Sequence, residues 1–206
     1  MAQSLKPELR ARLLAAAEEA FAEAGYQGAT MAQIAERAGI STGNVYRYFA
    51  NKDALFYEVL SPAFADAFLR LVAKRVGSLA LAQDLTQLDP RAQTDGEELL
   101  RFWIEHRLKV IVLLDRAHGS EHERFADRFV ELLLKPTLRK LSQEADGPLS
   151  PVVRALLETL FRNTVRAIVA ILESHAQPHE IRQAFAGFWS YQLAGLAGFT
   201  KWVRHA

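Results

Sequence analysis

"ATMAQIAERAGISTGNVYRYFANKDALF", Ala29 to Phe56, is the stretch whose reading decides the fold. Thr30 precedes a short apolar-periodic run and Gln33 follows it by three, the spacing of a capping box. Gly39 ends that run. Ser41 is placed to cap a third helix over 42–48, and Asn51 to cap a fourth that begins at Lys52. Ile34, Ala35, Ala38, Ile40 and Val45 supply the apolar contacts between the second and third helices. Two short helices joined by a tight turn containing Gly39 are the sequence form of a helix-turn-helix.

On the N-terminal side, Pro7 suits a first helical turn. Leu9, Leu13, Ala16, Ala17, Ala20, Phe21 and Ala24 form one apolar stripe, and Gly25 is expected to end the helix. On the C-terminal side, Pro62 is expected to kink or split the fourth helix near Ser61. After Val76 the pattern weakens, and a short helix and a surface connection through Pro90 and Gly96 are expected. Strong helical periodicity resumes over 97–117, 124–145, 151–174 and 180–204. Alternating strand patterns are scarce. The fold class is therefore all-α: an N-terminal three-helix helix-turn-helix domain over 1–52 and a larger C-terminal helical domain over 53–206, about nine helices in all.

The 206 residues are 50% hydrophobic and 24% charged, with a formal net charge of +1. That composition supports a sizeable core and points to no particular partner by gross electrostatics. The absence of cysteine excludes disulfides, zinc–thiolate sites and thiol redox chemistry. The charged, helical start is unlike a secretory signal, and no apolar run approaches the length of a membrane span. A cytoplasmic protein without membrane attachment is expected.

The segment from Ser41 to Lys52 carries a polar set that a core does not need. In helix-turn-helix proteins the second helix of the pair enters the DNA major groove with its N-terminal residues toward the base edges. Here those residues are Ser41, Thr42, Gly43 and Asn44. Asparagine suits bidentate pairing with adenine, and threonine suits a base edge or a thymine methyl. Gly43 lets the backbone approach closely. Tyr46 and Arg47 lie one turn on, and Tyr48 and Lys52 fall where phosphates would pass. Val45 and Phe49 read as buried anchors beneath this surface. The charge balance of the first sixty residues is a counterweight. Lys6, Arg10, Arg12, Arg37, Arg47 and Lys52 face Glu8, Glu18, Glu19, Glu23, Glu36, Asp53 and Glu58, a net of −1. Modest nonspecific DNA affinity and reliance on a dimer are expected.

Over residues 8–60 the chain resembles the DNA-binding domain of the TetR family of bacterial transcriptional regulators. The matching pieces are Thr30, Ile34–Ala35, Ala38–Gly39, Val45–Tyr46, Tyr48–Phe49, Asn51–Lys52 and Leu55. The remainder is similar to that family only in its helical architecture. The resemblance implies a phosphate contact at Thr30, base reading at Thr42, Gly43, Asn44 and Tyr46, backbone contacts at Ser41 and Tyr48, and a phosphate contact at Lys52. Some relatives read a base with an arginine where this chain has Met31, so specificity here is expected to rest on the third helix. The resemblance also implies that the C-terminal domain binds a small effector, and that the last two helices form a four-helix dimer interface with a second copy.

Phe102, Trp103, His106, Phe125 and Phe129 are the candidate lining of an apolar effector cavity, with core packing as the competing reading. His106 interrupts the apolar face of its helix. His118 and His122 stand four apart, as metal ligands on a helix would, but Gly119 between them favours surface histidines over a metal site. No metal, cofactor or catalytic residue is expected. The reading that follows is a ligand-responsive homodimeric repressor, released from a palindromic double-stranded operator by a small apolar molecule. A helical enzyme or binding protein using the C-terminal aromatic pocket is the alternative. The chain lacks a nucleophile elbow, a P-loop and a dinucleotide glycine motif. Activation instead of repression is left open, as are the effector and the operator sequence.

Overall fold

The computed structural model describes residues 7–81, 90–144 and 148–203. Every regular element among them is helical, in chain order α1 (Pro7–Gly28), α2 (Met31–Arg37), α3 (Thr42–Tyr46), α4 (Lys52–Val59), α5 (Pro62–Leu81), α6 (Pro90–Glu105), α7 (Arg107–Ile111), a π-helical turn (Val112–Arg116), α8 (Phe125–Glu144), α9 (Pro151–Ser174) and α10 (Pro178–Val203). Only His106 separates α6 from α7, and its N–H still donates to the Phe102 carbonyl at 3.0 Å. Counting that pair as one interrupted helix gives nine α-helices among the described residues.

The chain divides into two compact units. One comprises Met1–Asp66 with Leu108–Phe125, and the other comprises Ala67–Arg107 with Ala126–Ala206.

The first unit is built on α1. Its stripe Leu13, Ala16, Ala17, Ala20 and Phe21 is buried. Phe21 meets Phe56 of α4 edge-on at 4.9 Å, and Tyr26 meets Phe56 at the same distance. Gly25 takes φ 71, ψ 169 and breaks the helical path, after which one more turn reaches Gly28. The left-handed φ is the region that glycine enters without penalty. Thr30 and Gln33 form the capping box: the Thr30 hydroxyl accepts from Gln33 N, and Gln33 Oε1 accepts from Thr30 N. Ser41 and Asn51 cap α3 and α4 by accepting from the N–H groups of Asn44 and Ala54.

The fourth helix splits as its proline requires. Leu60 leaves helical geometry at φ −123, ψ 67, and the Ser61 hydroxyl accepts from Phe64 N to start α5. The segment 108–125 closes this unit. Val110 to Leu114 are all buried. Five consecutive apolar side chains point around the whole circumference of a helix, so this segment is buried on every side.

In the second unit, Phe68, Trp103, Phe129, Phe185 and Trp189 form an aromatic cluster, with ring centroids 5.0 Å apart for Trp103–Phe185 and 5.9 Å for Phe68–Phe129. A fully buried aromatic or leucine contributes roughly 1.5–3 kcal/mol. Two expectations are corrected here. The helix after Ser61 runs on to Leu81, and α6 begins at Pro90, seven residues before the expected start. Pro90 lacks an N–H that a first helical turn would leave unused. Gly96 sits inside α6 because the Arg75 guanidinium presses on it; a Cβ there would lie 3.1 Å from Arg75 Cζ.

Candidate nucleic-acid interface and effector cavity

The α2–α3 pair presents a surface of small and polar groups over an apolar base. Val45 and Phe49 are buried beneath it. Above them, Ser41, Gly43, Tyr46 and Arg47 are exposed, while Thr42, Asn44 and Tyr48 are half-buried. Tyr46 is 53% exposed, an unusual position for a tyrosine with apolar neighbours available. Beyond its chain neighbours and the backbone of its own helix, nothing lies within 4 Å of where a Gly43 side chain would start. Thr30 is exposed at the head of α2, its hydroxyl donating to Gln33 Oε1 at 2.9 Å. Met31 is buried in the core of the unit.

Most cations of this unit are held by the protein itself. Lys52 Nζ donates to the carbonyl oxygens of Tyr26 at 2.6 Å, Ala29 at 3.0 Å and Gln27 at 3.3 Å. It also lies 4.5 Å from the Tyr26 ring centroid. Arg12 donates to the Ala38 carbonyl at 2.8 Å, at the end of α2. Arg37 pairs with Glu23 and, at 3.4 Å, with Glu19; these carboxylates hold its guanidinium pKa above the ordinary value. Arg10 pairs with Glu58. Arginine and lysine here act largely as caps and cross-links between helices, so apart from the exposed Arg47 the face itself is hydroxyls, amides and aromatics.

Among the residues singled out for a ligand cavity, the structure brings some together and separates others. Trp103 and Phe129 line one cavity of about 100 Å³ in the second unit. Phe102 is half-buried, 5.5 Å from Phe68 and 4.7 Å from the His106 ring. Neither Phe102 nor His106 lines that cavity. Phe125 is buried in the first unit. The histidine expectation is also corrected in part. His118 is exposed, but His122 is buried, its Nε2 2.8 Å from the Leu60 carbonyl. The backbone carbonyl left over where α4 breaks provides that partner. No cluster of metal-binding side chains occurs among the described residues.

Sequence reasoning missed the polar wall of the cavity, which is Arg75, Thr164 and Gln192. For Arg75 the signal was present: it stands seven after Phe68 and three after Val72, on the buried stripe of α5.

On the outer side of α9 and α10, a groove of about 480 Å³ is lined by Leu160, Ala167, Tyr191, Gly195, Gly198 and Trp202, among others. Tyr191 is 77% exposed and Trp202 47%. No helix of the described residues is long and apolar enough to cross a membrane.

Comparison with known proteins places residues 13–59 in the family described as bacterial regulatory proteins, tetR family. The HTH-type transcriptional repressor AcnR of Corynebacterium glutamicum is 28% identical over 156 residues, 73% of this chain and 77% of that protein. The HTH-type transcriptional regulator BetI of Burkholderia ambifaria is 38% identical over 69 residues, 34% of this chain and 36% of its own length. Among solved structures, a TetR family transcriptional regulator from Chloroflexus aurantiacus aligns over 98% of this chain and 94% of its own, with 18% identity and a TM-score of 0.49.

Proposed function

We propose that the chain, whose residues 13–59 match the tetR family of bacterial regulatory proteins, is a DNA-binding transcriptional regulator and not an enzyme, working as a cytoplasmic homodimeric repressor released from a palindromic operator by a small effector. The observation that carries this reading is the α2–α3 pair, with Tyr46 exposed beside Thr42, Gly43 and Asn44 over a buried Val45.

In this reading α3 enters the major groove. Asn44 and Thr42 read base edges, Gly43 permits close approach, and Tyr46 packs on the groove wall. Thr30, Ser41, Arg47 and Tyr48 hold phosphates. Lys52 contributes chiefly by fixing α4 to the end of α1, which sets the position of Tyr48 and Asn51. Two copies reach half-sites roughly 34–36 Å apart. The exposed Tyr191 and Trp202 on the α9–α10 groove support that face as the surface where a second copy docks. The cavity containing Trp103 and Phe129 supports an effector site in the second unit. By linkage, an effector releases DNA only if it binds the DNA-free form more tightly.

Selection of random duplexes on the purified protein, with Tyr46→Ala and Asn44→Ala alongside, tests this reading. A palindromic consensus lost in both variants is the expected result. If no sequence is enriched at low salt, the reading fails.

A further inference from the structure

We infer that the cavity of the second unit and the α9–α10 groove are coupled with opposite sign: a ligand larger than the empty cavity pushes their shared wall into the groove, and so loosens the pairing of this chain with a second copy. This deepens the effector and dimer readings above and rests on both.

The shared wall is one side chain thick. Thr164 of α9 and Phe188, Gln192 and Leu196 of α10 line the cavity on one side and the groove on the other. Positions 188, 192 and 196 are four apart, so they form one row along α10. Leu196 and Phe199 also stand between the groove and a second cavity of about 100 Å³ that continues toward Pro136. A polar tie crosses the wall, from Gln192 Nε2 to Thr164 Oγ1 at 2.8 Å. A neutral hydrogen bond of this kind is a light fastening.

The walls differ in what stands behind them. Val72, Leu99, Phe129 and Ile168 are buried, with protein at their backs. A close-packed interior resists every added methylene. Thr164, Phe188, Gln192 and Leu196 are only half-buried, and behind them lies the groove of about 480 Å³. Two adjoining cavities of about 100 Å³ each are small beside the roughly 300–1,000 Å³ of ordinary ligand pockets. A ligand of ordinary size has to move a wall, and the shared one yields into open space.

The groove is where the second copy seats. Its apolar side continues along α9 through Leu160, Leu156 and Val152, one row at four-residue spacing whose last member is 67% exposed. An identical α9–α10 pair offers the same row in return. Once docked, that copy backs the shared wall and holds it inward. Ligand and partner then compete for the outward position of Phe188 and Leu196 without touching each other. By linkage, each weakens the other by the same factor. A palindromic site needs two heads held together, so loosening the pair is itself a route to release.

The test is sedimentation of the full-length protein over a concentration series, with and without N-phenyl-1-naphthylamine, a dye whose fluorescence reports its own binding. Benzene, which a dry cavity of about 150 Å³ holds, is the small probe. Saturating dye is expected to raise the dimer dissociation constant roughly ten-fold, inside the roughly 5–150-fold typical of coupled sites. Dye affinity should fall by the same factor as the protein is concentrated into the dimer, and benzene should leave the dimer unchanged. Val76 lines both cavities and not the groove, so Val76→Phe should abolish the effect of the dye and keep the dimer. Loosening that persists in Val76→Phe means the dye acts on the groove directly, and it overturns the coupling. If that variant does not fold, equal loosening of the native dimer by benzene and dye overturns it instead. Dye that binds the native chain and leaves the dimer as tight or tighter overturns the coupling while both underlying readings stand. Dye that does not bind overturns it too, because a yielding wall admits a probe of that size; release of operator DNA by other compounds then judges the effector reading. A chain that stays monomeric throughout overturns the coupling together with the dimer reading.

Discussion

Lys52 and Tyr26 are joined twice: Lys52 Nζ donates to the Tyr26 carbonyl at 2.6 Å and lies 4.5 Å from the centroid of the Tyr26 ring. The Tyr26 hydroxyl in turn donates to Asp53, the residue next to Lys52. The start of α4 is thereby pinned to the end of α1, and the α2–α3 pair is the loop of chain between the two pins.

Lys52→Gln should lower stability by about 1.5–3 kcal/mol, the range for hydrogen bonds to a charged group, with the cation–π contact included in that span. Urea unfolding measures this directly. A lysine whose sole role is to hold a phosphate would weaken DNA binding with no change in the unfolding midpoint.

Tyr26 supplies a pH signature. Burial first, then the hydrogen bond and negative charge of Asp53, push its hydroxyl up to about 12 from the usual 10. A group raised in the folded state stabilises fully below its unfolded pKa and loses that contribution as pH rises through the folded one. Stability should therefore decline between pH 10 and about 12, and Tyr26→Phe should flatten that decline. Chemical unfolding across this window, with absorbance titration of the phenolate, checks both.

The Gly39 turn is a stability site with a different origin. Its φ of 67 is a region that L side chains rarely adopt, while Arg12 Nη2 at 3.7 Å leaves space for a methyl group. Gly39→Ala should cost about 1–2 kcal/mol from backbone strain alone, and Gly39→Asn less, because asparagine tolerates the left-handed region. Thermal melts of the two variants should rank in that order.

The α9–α10 groove gives a hydrodynamic prediction. Tyr191→Glu combined with Trp202→Glu should shift the protein from dimer to monomer in sedimentation at micromolar concentration. Charges facing each other across a symmetric interface are felt on both sides. A dimer that survives both substitutions would place the contact elsewhere.

Most of the fold could be read from Ala29 to Phe56 and its flanks, because that region obeys local rules. Thr30, Ser41 and Asn51 each cap the helix they precede, and Pro62 starts a new one. Such decisions depend on a few neighbours in sequence. The helix after Val76 and the start of α6 were misread for the opposite reason. Gly96 is a helix breaker by propensity, and only the packing of Arg75, twenty-one residues earlier, makes a glycine the fitting residue there. His122 was placed on the surface because the Leu60 carbonyl that binds it is exposed only by the break at Ser61. The polar cavity wall was hidden similarly: Arg75 lies on an apolar stripe, but Thr164 and Gln192 meet across two helices, with Gln192 Nε2 donating to Thr164 Oγ1 at 2.8 Å.

Arg116 donates from Nη1 to the carbonyls of Ala22 and Glu23, both at 2.8 Å, and Lys109 faces Glu18 at 3.9 Å. The N-terminal unit is thus finished by a segment that the chain reaches only some forty residues after leaving it. A head of this kind is not a detachable cassette. Joining residues 1–66 to the C-terminal part of a relative would leave the end of α1 without its arginine and expose the apolar surface that Val110 to Leu114 cover. Exchange of DNA specificity between relatives has to carry residues 108–125 along with the head, or be confined to the few side chains of α3 that face outward.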